Sequence, residues 1–112
     1  MPTTVRKIYE IAQGDLSPPM LIDLTDEDVV ANVANAINPL TMRWLKPDGT
    51  VVEGVTITNV NLVLGQVLHA WAAGETDIPG VHRAQVIVPK ADGNETFPSD
   101  GSYIRWVVHP KL

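Results

Sequence analysis

The spacing of apolar residues places this chain in the all-β class, as an antiparallel two-sheet sandwich of seven to eight strands. Runs of strand-forming residues are separated by clusters of Gly, Pro and Asp: Pro47-Asp48-Gly49, then Asp77 with Pro79-Gly80, then Asp92-Gly93. The runs recur about every ten residues, the rhythm of a sandwich. Pro18, Pro19, Pro39, Pro47, Pro79, Pro89, Pro98 and Pro110 fall in turns or at strand ends, where a missing N–H removes no ladder bond.

Residues 5–12 (V-R-K-I-Y-E-I-A) form the first strand, with Tyr9 and Ile11 on one face and Ile8 on the other. Gly14-Asp15 ends it. Ser17-Pro18-Pro19 is stiff and extended, because proline holds φ and restrains the residue before it. In residues 20–24, Met20, Ile22 and Leu24 share a face. Residues 26–40 admit two readings. Thr25 with Asp28 resembles a capping box ahead of Val29, Val30, Val33 and Ile37 at near-helical spacing. Asn32, Asn35 and Asn38 favour instead an irregular connection with one short strand, and Asn38-Pro39 starts a turn.

From Leu40 the alternation is clean: Leu40, Met42 and Trp44 face one way, Thr41 and Arg43 the other. Beyond Pro47-Asp48-Gly49, residues 51–58 set Val55 and Ile57 against Thr56 and Thr58, and residues 59–65 read as a connection. Val67, His69 and Trp71 then share a face. Residues 82–88 oppose Ala84, Val86 and Val88 to Arg83, Gln85 and Ile87, and a short Thr96-Phe97 follows the Asp92-Gly93 turn. Residues 103–109 oppose Ile104, Trp106 and Val108 to Tyr103, Arg105 and Val107. Trp44, Trp71 and Trp106 are the expected core anchors, each burying on the order of 200 Å².

At 112 residues, 45% of them hydrophobic, the chain suits one domain over residues 1–112 with a single core. The net charge of −5 argues against a phosphate-backbone partner, and the eight basic residues are scattered, with Arg6-Lys7 the one adjacent pair. With no cysteine, there is no disulfide frame, thiolate zinc site or thiol nucleophile. The N-terminal residues lack a signal-peptide core and no run approaches a membrane span, so neither a membrane nor export by signal peptide is expected.

Chemistry finds little to use. His69, His82 and His109 sit on three separate strands without H-E-x-x-H spacing, and His69 shares a face with Val67 and Trp71, which suits packing. Asp23, Asp26, Glu27 and Asp28 lack the ordered ligand spacing of a calcium loop. Ser17, Ser99 and Ser102 stand in no nucleophile elbow, and Glu75-Thr76-Asp77 is explained by the turn before Pro79-Gly80. No catalytic residue, metal ligand or cofactor is expected, and the chain is read as not an enzyme.

The order of turn motifs resembles the immunoglobulin-like N-terminal domain of the phage baseplate upper protein family. The likeness rests on Gly14-Asp15-Leu16-Ser17-Pro18-Pro19, Leu24-Thr25-Asp26, Met42 through Lys46 into Pro47-Asp48-Gly49, and Gly65 with Val67 and Trp71. It continues through Asp77 with Gly80, Asp92-Gly93, Thr96-Phe97-Pro98 and Asp100-Gly101. His69 replaces a usual aromatic, Val81-His82 stands where a tyrosine is usual, and residues 29–38 replace a short glycine turn. The resemblance implies an immunoglobulin-like sandwich in a virion structural protein. Such a protein is assembled in the host cytoplasm and docks, in multiple copies of a symmetric assembly, onto other virion proteins of the tail, baseplate, neck or capsid surface. A free-standing decoration module, or one binding glycans or a host surface, is the alternative.

Docking of that kind uses open sheet edges. The first strand, within residues 1–12, is the expected edge or exchanged strand, offering Val5, Ile8, Tyr9 and Ile11. Leu62, Val63 and Leu64, apolar in a connection, are the second candidate contact.

Overall fold

The computed structural model describes residues 8–26, 29–30, 32–37, 39–98 and 103–112, and every regular element in them is a strand. In chain order these are β1 (Ile8–Ala12), β2 (Met20–Asp23), β3 (Thr25–Asp26), β4 (Val29–Val30), β5 (Thr41–Leu45), β6 (Val51–Thr56), β7 (Thr58–Asn61), β8 (Gln66–His69), β9 (Gly80–Lys90), β10 (Gly93–Phe97) and β11 (Ile104–His109). A large sheet runs β1-β11-β9-β5-β6, with β10 also on β9. A small sheet runs β2-β8-β7, and β3 and β4 pair separately. The inner faces of the two sheets share one hydrophobic cluster, so the molecule is a two-layer β-structure.

Two expectations need correction, and a choice between two readings is resolved. The large sheet is mixed, because β1 runs parallel to β11, setting Ile8 beside Arg105 and Ile11 beside Val108. These two strands come from opposite ends of the described chain, so no tight hairpin dictates their relative direction. Secondly, the described residues hold eleven strands rather than seven or eight. The run 51–58 divides at buried Ile57, leaving β6 on the large sheet and delivering β7 to the small one, so part of the expected 59–65 connection is strand. Of the two readings of residues 26–40, the irregular connection with one short strand fits the described residues: β4 pairs with β3, and the Asn32 side chain accepts from the Ala34 N–H at 3.0 Å. That local bond is the one by which asparagine competes with helix. Asp28 of the expected capping box lies outside the described residues.

The centre of the molecule is β9, whose eleven residues alternate inward and outward. β5 pairs along one edge through Thr41 beside Ile87 and Leu45 beside Arg83. β10 and β11 share the other edge, interrupted between Phe97, opposite Val86, and Ile104, opposite Ala84. In β6, Glu53 and Gly54 together stand across from Arg43, a bulge that Gly54 accommodates at φ +70°.

The core takes Met20, Ile22 and Val67 from the small sheet and Met42, Trp44, Val86, Val88, Trp106 and Val108 from the large one. One end is closed by residues 32–37: the Val33 N–H donates to Leu62 O at 2.8 Å, and the Ile37 N–H to Pro89 O at 2.9 Å. At the other end, Gly14 N–H donates to Thr76 O at 3.0 Å, and the buried Thr76 hydroxyl donates to Asp15 O at 2.8 Å. Backbone groups of irregular segments are thus paired within the fold.

Candidate functional site

Trp44 on β5, Trp106 on β11 and Trp71 just beyond β8 meet in the core. Trp44 and Trp106 lie 5.3 Å apart between ring centroids, and Trp71 and Trp106 lie 5.7 Å apart. Both buried histidines join them. His82 stacks on Trp106 at 5.4 Å and 8°, and His69 meets Trp71 edge-on at 5.1 Å. The sequence placed these rings on inward faces; only the fold shows that they touch.

Polar atoms inside this cluster are matched by geometry. The Trp44 indole N–H donates to His82 Nδ1 at 2.9 Å, so Nδ1 is bare and Nε2 carries the proton, donating to Ile78 O at 2.8 Å. Burial, above all, pushes the His82 ring below its ordinary 6.5, with Lys46 adding to the shift and the bond to Ile78 and the charge of Asp48 opposing it. His69 places Nδ1 at 3.1 Å from Thr56 O and Nε2 at 3.0 Å from Glu75 Oε1. The same Glu75 oxygen accepts from the Ala72 N–H at 2.6 Å. Trp71 donates to Pro18 O at 3.0 Å, whereas the fully buried Trp106 Nε1 has no hydrogen-bond partner among the described residues. His69 and His82 are therefore packed and hydrogen-bonded within the cluster.

Pro47, Asp48 and Gly49 form a turn, whereas turn residues 73–76 precede Asp77, and Gly80 and Gly93 already open β9 and β10. Lys46 and Thr50 close the turn through Pro47, Asp48 and Gly49, and the Asp48 carboxylate accepts from the Thr50 N–H at 2.9 Å. That bond is the main cause holding the Asp48 carboxyl below its usual value. The turn packs on the start of β9. A Cβ at Gly80, whose φ is +125°, would stand 3.0 Å from the Pro47 ring, so this position requires glycine. The Asp77 carbonyl accepts from the Gln13 side chain at 2.9 Å, while Pro79 leads into β9. Asp92 and Gly93 are exposed at the β9–β10 hairpin, where Lys90 and Glu95 form an ion pair.

The candidate contact residues divide sharply. Ile8 is 54% exposed on β1, an edge of the large sheet. Tyr9 packs partly buried against the core, and burial, with Asp23 adding, raises its phenol to about 12. Ile11 is a core residue and Leu62 packs against the core, so neither is a free contact in the folded chain, contrary to expectation. Alternation forces this on β1, where every second residue turns inward. Val63 and Leu64 are exposed in the turn after β7. Val5 lies outside the described residues.

Strand β7 was missed by sequence reasoning. All four of its residues are exposed, with Val60 at 51%, on an edge of the small sheet. The signal available was the single Val60 between asparagines, too short to read as alternation. Among the described residues, no three His, Asp or Glu side chains gather as metal ligands, and no helix is long and apolar enough to cross a membrane. Comparison of the chain with known proteins finds no matching family model, no matching curated protein and no matching solved structure.

Proposed function

We propose that the chain is a bacteriophage virion structural protein, a small docking module of the tail, baseplate, neck or capsid surface that works through protein–protein contacts. The observation that carries this reading is the open edge at β7. Three large aliphatic residues, Val60, Val63 and Leu64, are exposed within five positions of an edge strand and its turn. An exposed apolar edge is a template for pairing with another chain, and it persists where a partner covers it. The second edge, β1 with Ile8, offers the same chemistry on the large sheet.

The immunoglobulin-like form of the sandwich belongs to the same proposal. Strand order supports it: β11-β9-β5 matches the G-F-C order of one immunoglobulin sheet, with β6 as an added neighbour, and β2-β8-β7 matches B-E-D of the other. Trp44 then occupies the buried tryptophan position on strand C. His82, near the start of the F counterpart, bonds back to Ile78 four residues upstream, as the corner tyrosine of such domains does. Pairing of β1 with the last strand departs from the constant-type arrangement. A stacking platform for glycans needs exposed aromatic faces, and all three tryptophans are buried, so the docking reading is preferred over the glycan-binding one.

Quantitative mass spectrometry of purified phage particles tests the proposal. The chain is expected at a copy number fitting a symmetric ring or shell. Val60→Lys and Ile8→Glu are expected to lower that occupancy while the isolated protein keeps its melting temperature within about 3 °C. A chain missing from particles, or occupancy indifferent to both substitutions, ends the reading. Point substitutions are used because removing residues 1–12 also deletes Ile11 from the core.

A further inference from the structure

The basic residues, scattered in sequence, are gathered by the fold. Three of the four arginines lie on the outer face of the large sheet: Arg43 on β5, Arg83 on β9 and Arg105 on β11. Cross-strand register sets them in a continuous row: Val51 beside Leu45, Leu45 beside Arg83, Arg83 beside Arg105, and Arg105 beside Ile8. Arg43 pairs in register with Gln85 on the next rung and makes an exposed ion pair with Glu53 at 3.2 Å. Among the described residues, no carboxylate lies within ion-pair reach of Arg83 or Arg105.

Two like charges directly across a ladder destabilise a sheet. Here they stand side by side in a chain of net charge −5, flanked by Leu45 at 36%, Val51 at 47% and Ile8 at 54% exposure. A shallow depression lies in the same face, lined by Arg43, Leu45, Val51, Arg83, Gln85 and Tyr103. It sits where β10 gives way to β11 beside Gln85. Guanidinium groups match carboxylates through paired donors, and arginine and tyrosine are enriched at protein interfaces.

We propose that this outer face docks an acidic polypeptide segment with carboxylates at its centre and aliphatic side chains on either side. Carboxylates are received by Arg83 and Arg105, and by Arg43 over the depression; aliphatic side chains lie on Leu45, Val51 and Ile8. Charge complementarity selects the sign of the partner. The aliphatic residues flanking the arginines select polypeptide over a phosphate backbone or a sulfated glycan, neither of which presents aliphatic side chains beside its charges.

The surface is distinct from the β7 edge and stands on its own observations. The test is NMR titration of the full chain with a ten-residue Glu/Val peptide, its glutamates central and its valines on either side, beside its Lys/Val counterpart and heparin as probes. Expected are amide shifts confined to outer-face positions of β5, β9 and β11. Apparent affinity is expected to fall at least about tenfold in Arg83→Gln/Arg105→Gln and about as much between 50 and 500 mM salt. The idea is overturned by shifts spread elsewhere, by no shift at millimolar Glu/Val peptide, or by equal response to the Lys/Val peptide. It is equally overturned by tighter binding of heparin, or by concentration-dependent broadening without peptide that the double variant abolishes, which would assign the face to self-association. Particle occupancy separates this result from the function proposed above. A chain present in particles that ignores the acidic peptide loses only this inference, and one that binds the peptide but is missing from particles loses only the virion role.

Discussion

The inner and outer faces of the large sheet are built from alternate residues of the same strands, and they treat charge in opposite ways. Inward, Trp44, Ala84, Val86, Trp106 and Val108 exclude it, and the one titratable ring among them, His82, is held neutral by a donor on one nitrogen and an acceptor on the other. Outward, Arg83 and Arg105 stand next to each other with nothing to neutralise them among the described residues. Leaving a buried polar atom unpaired costs about 1–3 kcal/mol, a cost that His82 avoids at both ring nitrogens. A solvated charge tolerates a poor neighbour, so the outer face is free to carry groups chosen for another molecule.

If the inner face is where stability resides, Trp106→Ala should remove about 3–5 kcal/mol, read as the midpoint shift in urea unfolding. A loss under 1 kcal/mol would contradict the central place given to this ring. A finer comparison sets Trp44→Phe against Trp106→Phe. The first strands His82 Nδ1 without a donor; the second deletes an indole N–H that has no partner among the described residues. Trp44→Phe should therefore be the more damaging by about 1–2 kcal/mol, although Trp106 is the more deeply buried. Equal losses would mean that volume alone governs the cluster.

Acid provides the next contrast. Because folding lowers the His82 value below 6.5, the unfolded chain binds its proton first as pH falls. The stability that neutral His82 contributes is complete above pH 6.5. It declines as pH drops from there toward the folded value, at up to about 1.4 kcal/mol per pH unit. His82→Phe should flatten that stretch of the stability–pH curve; an unchanged slope would assign it to other groups. The smallest effect belongs to the outer face: Arg83→Gln should shift the melting temperature by no more than about 3 °C, and upward if like-charge repulsion is felt. A large destabilisation would show that Arg83 serves the fold instead of a partner.

Strand identity was legible wherever alternation ran for five residues or more between turn residues, as in residues 40–45, 82–88 and 103–109. Short or mixed segments were not. The β3–β4 ladder and β7 are too brief for a period-two signal, and the break at Ile57 leaves no mark in a run whose alternation continues through it. Contact candidates showed the same limit: a short apolar run such as Leu62-Val63-Leu64 does not say which member turns inward.

Local chemistry decided the strands, the turns and the inward position of all three tryptophans, because side-chain alternation and turn geometry act over two to four residues. Register and strand order came only from assembly of the whole. They joined β1 in parallel to β11, sent β7 to the second sheet, brought Pro47 against Gly80, and aligned Arg83 with Arg105. Except for the short-range pairing of β7 with β8, these depend on contacts between residues far apart in the chain, and their energy appears only when two layers close over a shared interior.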